Sequence, residues 1–405
     1  MANRLHASLV SVAMLPVVAA ALLPSTASAQ VYPTPEQKMN APQWVPLKVA
    51  DREDYRNAYV VVNLVSTRES DKALMLDPMM KNAWGLALRP PGKGGHWWVS
   101  NAGTGTTTTY VGDAPGHRFE KDKDVVVSIP IGKLHATHAE IEKLKSQPTG
   151  QVYTGFTSKE FVVEGEGKKG SAKFLFVTLD GTVTGWTTDQ TKAVIMVDNS
   201  TDGSMYTGCA VTTKPEGNRL FLADWGLEKV TVLDGEFKPV KTEGDFTDPK
   251  VSKDYRIYNM QVIGDKVYAA WARIGDAPGE AEAYPGYGFI SCFDFEGKLV
   301  KSFEHRQELI TPWGIAMAPK DFGALSGKLL VGNFGDGRIL SFDPETGKFV
   351  DYLRAPDGKP VELDGLWDLK WGNGETLGYL NHLYFTAGPE QEEQGLFGKL
   401  VPLFP

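Results

Sequence analysis

One short pattern occurs six times along this chain, and each copy has three apolar residues, a small residue and then a loop. The copies are WWVSNAG (97–103), LFVTLDG (175–181), LFLADWG (220–226), VYAAWAR (267–273), LLVGNFG (329–335) and LYFTAGP (383–389). Regular repetition of one supersecondary unit is typical of closed rings and of stacked arrays. The pattern therefore constrains the architecture more than any single motif does.

Each copy stands second in a longer unit of four strand-like runs. A short run with a central small residue precedes it, as in 313–316, and a β-branched run follows it, as in 229–233. Turns such as Asp343–Gly347 lead into the fourth run. Four antiparallel strands with small residues near an axis form the blade of a propeller. The sequence predicts an all-β, six-bladed β-propeller with four-stranded antiparallel blades.

The two ends of the repeat predict how the ring closes. The last unit ends soon after 396–403 and lacks a fourth strand, whereas the β-rich run 58–65 belongs to no unit. Pairing these runs would complete the sixth blade and leave no open sheet edge. We therefore expect one domain over 58–405, closed by an N-terminal strand in the last blade. A solenoid is the alternative, but it would need capping units, and none is recognisable.

The first residues have the features of a targeting signal. Arg4 precedes an uncharged apolar run, 9–23, and Ala27-Ser28-Ala29 matches a cleavage site. We interpret 1–29 as a signal peptide and 30–57 as an N-terminal extension. The apolar run is short for a membrane span, and no later segment is a transmembrane candidate. The expected product is a periplasmic or secreted monomer.

Charge and cysteine content exclude two further interpretations. The formal net charge is −8, which argues against nucleic acid as a partner because such proteins need a basic face. Cys209 is expected on an innermost strand and Cys292 on a third strand of the next unit, too far apart for a disulfide. We expect two buried thiols.

Several motifs together resemble a family of exported bacterial propeller proteins of uncharacterised activity. They lie at 62–66, 82–87, 101–105, 197–200, 332–338 and 388–398. The chain is more distantly similar to the NHL, gluconolactonase and strictosidine-synthase-like propellers. It departs from the closer family at Ala83, where proline is usual, at Gln394, where histidine is common, and in a polar, helix-like insertion at 134–146. The resemblance implies the fold and export, whereas propellers host unrelated functions.

Three polar residues directly follow the repeated small residue, at Asn101, Asp224 and Asn333. In a propeller these loops share one channel rim, and the gluconolactonase-like resemblance implies a divalent cation held there by such a set. Ca²⁺ or Zn²⁺ is therefore the candidate cofactor, able to polarise an ester or lactone carbonyl. The alternative is that these residues cap turns. Glu392 or Glu393 would add a carboxylate, although a solvated acidic loop is the simpler interpretation.

Aromatic and polar residues of the same rim are the candidate ligand contacts. Trp84, Trp313 and Trp367 lie on first strands, where they form either an aromatic floor for a ligand or packing anchors between blades. A more polar section follows at Tyr258, Asn259, Trp271 and Arg273.

A pair of histidines is a further candidate for a metal site. His135 and His138 are one helical turn apart, but no third ligand is evident, which favours an exposed helical face.

No catalytic signature is recognisable, so the catalytic residues are unassigned. The preferred hypothesis is a ligand-binding or protein-interaction module of the cell envelope, with its site at the channel mouth. Its partner would be a small molecule or an envelope protein. The alternative is a metal-dependent hydrolase or lactonase-like enzyme using Asn101, Asp224 and Asn333.

Overall fold

The computed structural model describes residues 57–134, 144–276 and 280–404. Within these ranges the chain forms 27 strands and two short 3₁₀ turns, Glu69–Asp71 and Gly323–Leu325, and no α-helix. Six small antiparallel sheets are arranged in a ring, which confirms the six-bladed β-propeller. The predicted signal peptide and both histidines of the 134–146 insertion lie outside the described residues. Among the described residues, no helix has the length and apolarity to cross a membrane.

The blades follow one another along the chain, each running outward from its innermost strand. Blade 1 contains β3 (Ala83–Leu88), β4 (Trp97–Asn101), β5 (Thr106–Val111) and β6 (Glu120–Ser128). Blade 2 contains β7 (Pro148–Tyr153), β10 (Phe174–Thr178), β11 (Thr182–Trp186) and β12 (Val194–Asp198), with a separate hairpin, β8 (Val162–Gly165) and β9 (Lys168–Ser171). Blade 3 contains β13 (Tyr206–Val211), β14 (Arg219–Asp224) and β15 (Lys229–Asp234).

The second half of the ring repeats this order. Blade 4 contains β16 (Tyr255–Ile263), β17 (Lys266–Ile274), β19 (Gly288–Phe293) and β20 (Leu299–Ser302), with β18 (Ala281–Glu282) beside β17. Blade 5 contains β21 (Pro312–Met317), β22 (Leu329–Asn333), β23 (Ile339–Phe342) and β24 (Phe349–Tyr352). Blade 6 contains β25 (Leu366–Trp371), β26 (Leu383–Ala387), β27 (Leu396–Pro402), β1 (Tyr59–Ser66) and β2 (Met75–Leu76).

Blade 3 differs from the predicted four strands. Its sheet has three strands, and an isolated bridge between Leu233 and Pro239 stands where the fourth strand would pair. The Val240 N–H donates to the Val232 carbonyl at 2.8 Å, but Pro239 has no N–H to continue the ladder. The fourth run of this blade is therefore a short, irregular edge.

The N-terminal strand closes the ring as the sequence predicts. β1 pairs antiparallel with β27, from Tyr59 opposite Pro402 to Ser66 opposite Leu396. The Tyr59 hydroxyl also donates to the Phe322 carbonyl of blade 5 at 2.7 Å. The first and last strands of the domain thus share one sheet.

The innermost strands approach one another too closely for ordinary side chains. A Cβ on Gly85 would lie 2.3 Å from the Thr149 carbonyl oxygen, and one on Gly314 would lie 2.6 Å from the Trp367 carbonyl oxygen. Each innermost strand packs against that of the next blade, and β25 packs against β3. The small residues of the predicted first runs therefore serve the closure of the ring.

A β-bulge interrupts the innermost strand of every blade at the same height. In blade 4, Ile257 pairs with Trp271 and Asn259 with Ala270, so Tyr258 is an extra residue. The same shift occurs in the other five blades. Bulges re-aim side chains. The equivalent positions carry Trp84, Thr149, Thr207, Tyr258, Trp313 and Trp367.

Both cysteines lie on the predicted strands. Cys209 is on the innermost strand β13 and Cys292 is on β19, the third strand of blade 4, and both are buried free thiols. Burial raises the pKa of each thiol, so neither is an activated nucleophile.

Candidate functional site

The bulge residues fill the upper end of the channel with aromatic rings. The loops that follow the second strands and precede the first strands surround this end of the channel, and we call them the upper rim. Trp84 stacks on Trp367 with ring centroids 3.7 Å apart, and Phe334 stacks on Trp367 at 4.0 Å. Trp313 meets Trp367 edge to face at 6.0 Å, and Tyr258 lies 6.1 Å from the same ring. Four of the seven predicted ligand contacts therefore meet in one cluster.

We call the cluster of Trp84, Tyr258, Trp313, Trp367 and Phe334 the aromatic plug. Its rings pack closely against one another. Trp84 and Trp313 are 1% exposed and Trp367 is fully buried, whereas Phe334 is half-buried and forms the outer layer of the stack. The Trp313 indole N–H donates across the ring to the Thr207 carbonyl at 3.0 Å. The three tryptophans thus serve as packing anchors between blades, and they lie beneath the rim loops.

The remaining predicted ligand contacts occupy three different places. Asn259 lies beside the plug, where its amide donates to the Trp313 carbonyl at 2.9 Å. Trp271 points into the core between blades 3 and 4 and donates to the Ser291 hydroxyl at 3.0 Å. Arg273 stacks over Tyr287 and pairs with Glu282. The structure therefore separates Trp271 and Arg273 from the plug.

The three predicted metal ligands are each engaged within their own blade. Both Asp224 carboxylate oxygens accept local hydrogen bonds, from the Met205 and Leu227 N–H groups and from the Ser204 hydroxyl. Burial raises the pKa of Asp224, against the effect of these bonds.

The two asparagines of the set are held in the same local way. The Asn333 carbonyl accepts from the Ile310 N–H at 3.2 Å, and the Asn101 amide donates to Thr106 and Thr108 of the next strand. The Asn101 carbonyl oxygen, however, is buried and has no hydrogen-bond partner among the described residues. Across the described ranges, no group of three or more His, Cys, Asp or Glu side chains is arranged to hold a metal ion.

Blade 6 carries another carboxyl group at the upper rim, that of Glu392, whose surroundings differ from those of Asp224. Glu392 follows β26 and lies in the rim loop 388–395. The sequence analysis expects a solvated acidic loop here, but Glu392 is half-buried. Desolvation raises its pKa to about 7, and a hydrogen bond from Asn82 opposes this effect. The expectation of a solvated acidic loop is therefore wrong for Glu392, although Glu393 is exposed. The cause is the loop backbone, which turns one side chain inward.

Three successive residues of this loop have left-handed backbone conformations. Glu390, Gln391 and Glu392 have φ values of 55°, 56° and 69°. Such conformations are costly for residues other than glycine and persist where surrounding structure enforces them. Here the Glu392 N–H donates to the Gly388 carbonyl and the Glu390 N–H donates to Asp364. The loop is thereby fixed with Glu392 facing the plug.

Asn82 connects this carboxyl group to the plug. Its amide donates to Oε2 of Glu392 at 2.6 Å, and its carbonyl accepts from the Trp367 indole at 2.9 Å. A Cβ on Gly388 would lie 2.4 Å from Oδ1 of Asn82, so this glycine leaves the space for the contact. Asn82 lies in the 82–87 motif and Glu392 in the 388–398 motif, but no local pattern in the sequence indicates that the two side chains meet.

Tyr258 of blade 4 lies near enough to Glu392 for the charge of the carboxyl group to affect its hydroxyl. Glu392 contributes to raising the pKa of Tyr258, which burial places well above its ordinary value. The phenol makes no hydrogen bond to the described residues, and neither does Oε1 of Glu392. Tyr258 is only 3% exposed, whereas Glu392 is half-buried. The upper rim thus contains two oxygens without a hydrogen-bond partner among the described residues, beside the aromatic rings.

Comparison with solved structures returns β-propellers. The Dos1 propeller matches with a TM-score of 0.45 and 9% identity over 81% of this chain and 70% of that one. Virginiamycin B lyase from Staphylococcus aureus matches with a TM-score of 0.44 and 11% identity over 85% of this chain and 98% of that one. These similarities are too distant to say anything about activity. No protein-family model matches the chain.

Sequence relatives occur among proteins of Acanthamoeba polyphaga mimivirus. Uncharacterized protein L690 is 33% identical over 49% of this chain and 52% of its own length, and R640 is 27% identical over 51% and 39%. These two matches span about half or less of the relatives. Uncharacterized protein R648 is 30% identical over 348 residues, which cover 84% of this chain and 79% of the relative. The chain belongs to the family of the uncharacterised mimivirus protein R648.

Proposed function

We propose that this chain is a ligand-binding β-propeller whose site is the upper channel mouth around Glu392. One observation carries the proposal: a strained loop holds the Glu392 carboxyl group beside the aromatic plug, with one oxygen bonded and the other unengaged. By contrast, the side chains of Asp224 and Asn333 are engaged by hydrogen bonds within their own blades. A strained backbone and a desolvated carboxyl group that the propeller fold itself does not require are typical of functional sites.

The surroundings of the carboxyl group support a small ligand. Tyr258 supplies a second unengaged oxygen, and half-buried Phe334 supplies an outer ring face. Small-molecule sites are typically lined by apolar and aromatic side chains with a few polar groups, as here. The plug beneath is closed, so a ligand would rest on the mouth rather than pass through the channel.

The proposed setting is the cell envelope or the outside of the cell. Its support is the N-terminal sequence, with Arg4, the apolar run 9–23 and the Ala27-Ser28-Ala29 cleavage pattern. Expression with the native leader should yield a mature protein beginning near Gln30, which N-terminal sequencing of the exported fraction would check. Retention of an intact leader in the cytoplasm would contradict it.

A ligand screen with mouth variants tests the site. Thermal-shift hits on the full chain are expected to be lost in Glu392→Ala and weakened in Tyr258→Phe. The matched control is Glu393→Ala, which removes an exposed carboxylate from the same loop. Hits that survive both mouth variants at full strength would place binding elsewhere and overturn the proposal.

A further inference from the structure

We propose that a cavity on the lower face of the ring, where blade 1 meets blade 6, binds a small zwitterion such as a free dipeptide. Arg118 would pair with the carboxylate of the ligand and Glu120 with its ammonium group. The lower face is the side opposite the upper rim, formed by the loops that join first to second strands and third to fourth strands. This site is separate from the mouth and does not depend on the function proposed there.

The cavity has a volume of about 400 Å³ and opens to the surface. One wall is the hairpin 112–119 between β5 and β6, which contributes His117 and Arg118. Thr376 contributes to the other wall from the loop 372–382 between β25 and β26. Small-molecule sites have volumes of about 300–1,000 Å³, so a ligand of a few heavy groups fits here.

Contacts between the two blades fix the hairpin in place. Lys399 Nζ donates to Oδ1 and Oδ2 of Asp113 at 2.8 and 2.7 Å, and the buried Tyr384 hydroxyl also donates to Oδ2. The Gly378 N–H donates to the Gly112 carbonyl at 3.1 Å. Asp113 has a left-handed φ of 62°, which these contacts enforce. A wall that is ordered in advance loses less conformational entropy when a ligand binds.

Arg118 and Glu120 present opposite charges to the cavity from one extended segment. Phe119 lies between them and packs on Tyr110 and Phe397, with ring centroids 5.9 and 6.0 Å apart. Because successive side chains of extended backbone alternate in direction, the residues on either side of Phe119 point away from this core. Both are exposed, and both line the cavity.

Neither of these two charges is neutralised by the protein. Within the described ranges, the side chains of Arg118 and Glu120 form no hydrogen bond or ion pair, with each other or with a neighbour. The charged groups around them are already engaged, Lys399 with Asp113, Lys121 with Asp77 and Glu375 with the Gly92 N–H. A ligand in the cavity therefore meets one free guanidinium group and one free carboxylate.

A zwitterion suits this pair of charges. A guanidinium group binds a carboxylate through two parallel N–H···O bonds, and a carboxylate accepts hydrogen bonds from an ammonium group. Glu120 would repel a simple anion and Arg118 a simple cation, whereas a molecule with both groups is attracted at both ends. Positions two apart on extended backbone are separated by about 7 Å, which is about the length of an extended dipeptide.

Three forms of one dipeptide test the inference by calorimetric titration of the full chain. They are alanylalanine, its N-acetyl derivative, which lacks the ammonium group, and its C-terminal amide, which lacks the carboxylate. The free dipeptide is expected to bind about fivefold more tightly than either blocked form, because each blocked form loses one charge pair at an exposed site.

Two variants assign the two ends of the ligand. Arg118→Gln should abolish the preference for the free dipeptide over its amide and keep the preference over the N-acetyl derivative, and Glu120→Gln should do the reverse. Both side chains are exposed, so both variants are expected to fold as the wild type does.

Glu164→Gln is the matched control, since it removes an exposed carboxylate from the β8–β9 hairpin of blade 2. It should bind all three forms as the wild type does, and so should Glu392→Ala on the opposite face. Equal affinity of the wild type for the three forms, or an unchanged preference in Arg118→Gln, would overturn the zwitterion as the ligand. Absence of binding by every form would overturn the cavity as a site.

Discussion

Asn82 donates a 2.6 Å hydrogen bond to Glu392 across 310 positions of sequence. The two residues approach the channel from opposite ends of the domain, one before the first blade and one after the second strand of the last. The contact exists only because the ring closes. It also holds the carboxyl group in a desolvated place, which gives the pair measurable effects on stability.

Glu392→Gln should stabilise the protein at pH 8 and leave its stability nearly unchanged at pH 4. The folded-state pKa of about 7 exceeds the ordinary 4.5, so wild-type stability falls as pH rises through this window. Gln stays neutral and retains an acceptor for Asn82, and the gain at pH 8 should be about 1–3 kcal/mol. Urea unfolding at both pH values measures it, with Glu393→Gln as the control. Equal effects of the two variants would contradict the assignment.

His382 should act in the opposite direction. Burial and the Lys399 charge lower its pKa to about 4 from 6.5, so the unfolded chain binds a proton that the folded protein does not. Stability is therefore lost as pH falls from about 6.5 to 4, and His382→Gln should remove about 1–3 kcal/mol of that loss. His382 and Glu392 change the free energy of unfolding in opposite directions as pH rises, so their effects partly cancel in the wild type. Each effect is therefore measured as the difference between a variant and the wild type at the same pH. A pH-independent difference for His382→Gln would count against this account.

Gly388→Ala should destabilise the mouth. A Cβ there would approach Oδ1 of Asn82 to 2.4 Å and Nε1 of Trp367 to 3.2 Å, so the bond between them must shift. We expect a cost of about 1–3 kcal/mol and a change in tryptophan fluorescence. Gly170→Ala is the control, since its Cβ would meet only Thr187 at an ordinary 3.6 Å. A neutral Gly388→Ala would show that the loop adjusts freely.

Asp224→Ala should lower stability whether or not divalent cations are present. The carboxylate accepts hydrogen bonds from Met205, Leu227 and Ser204, and their loss should cost about 1–3 kcal/mol. Thermal unfolding with EDTA, Ca²⁺ or Zn²⁺ is expected to give the same midpoint in the wild type. A cation-dependent shift that disappears in Asp224→Ala would instead support the metal-dependent alternative.

Asp224 and Asn333 show how far local patterns in the sequence reach. Asp224 and Asn333 bond to neighbours within 25 positions, and a turn-capping interpretation was available from residue type alone. Their alternative role as converging ligands depended on distances between blades. The sequence also places Trp271 correctly on a second strand, but its side chain points into the core between blades 3 and 4 and not toward the channel mouth.

The sequence by itself determined the number of blades, their strand order and the closing strand, because alternation and turn chemistry are local and repeat with the chain. Only the tertiary structure decided what occupies the mouth. A bulge in each innermost strand turns Trp84, Tyr258, Trp313 and Trp367 into one plug, and ring closure places Asn82 beside Glu392. The pKa of Glu392 is set by that burial, which depends on parts of the chain far apart in sequence and appears in no local pattern.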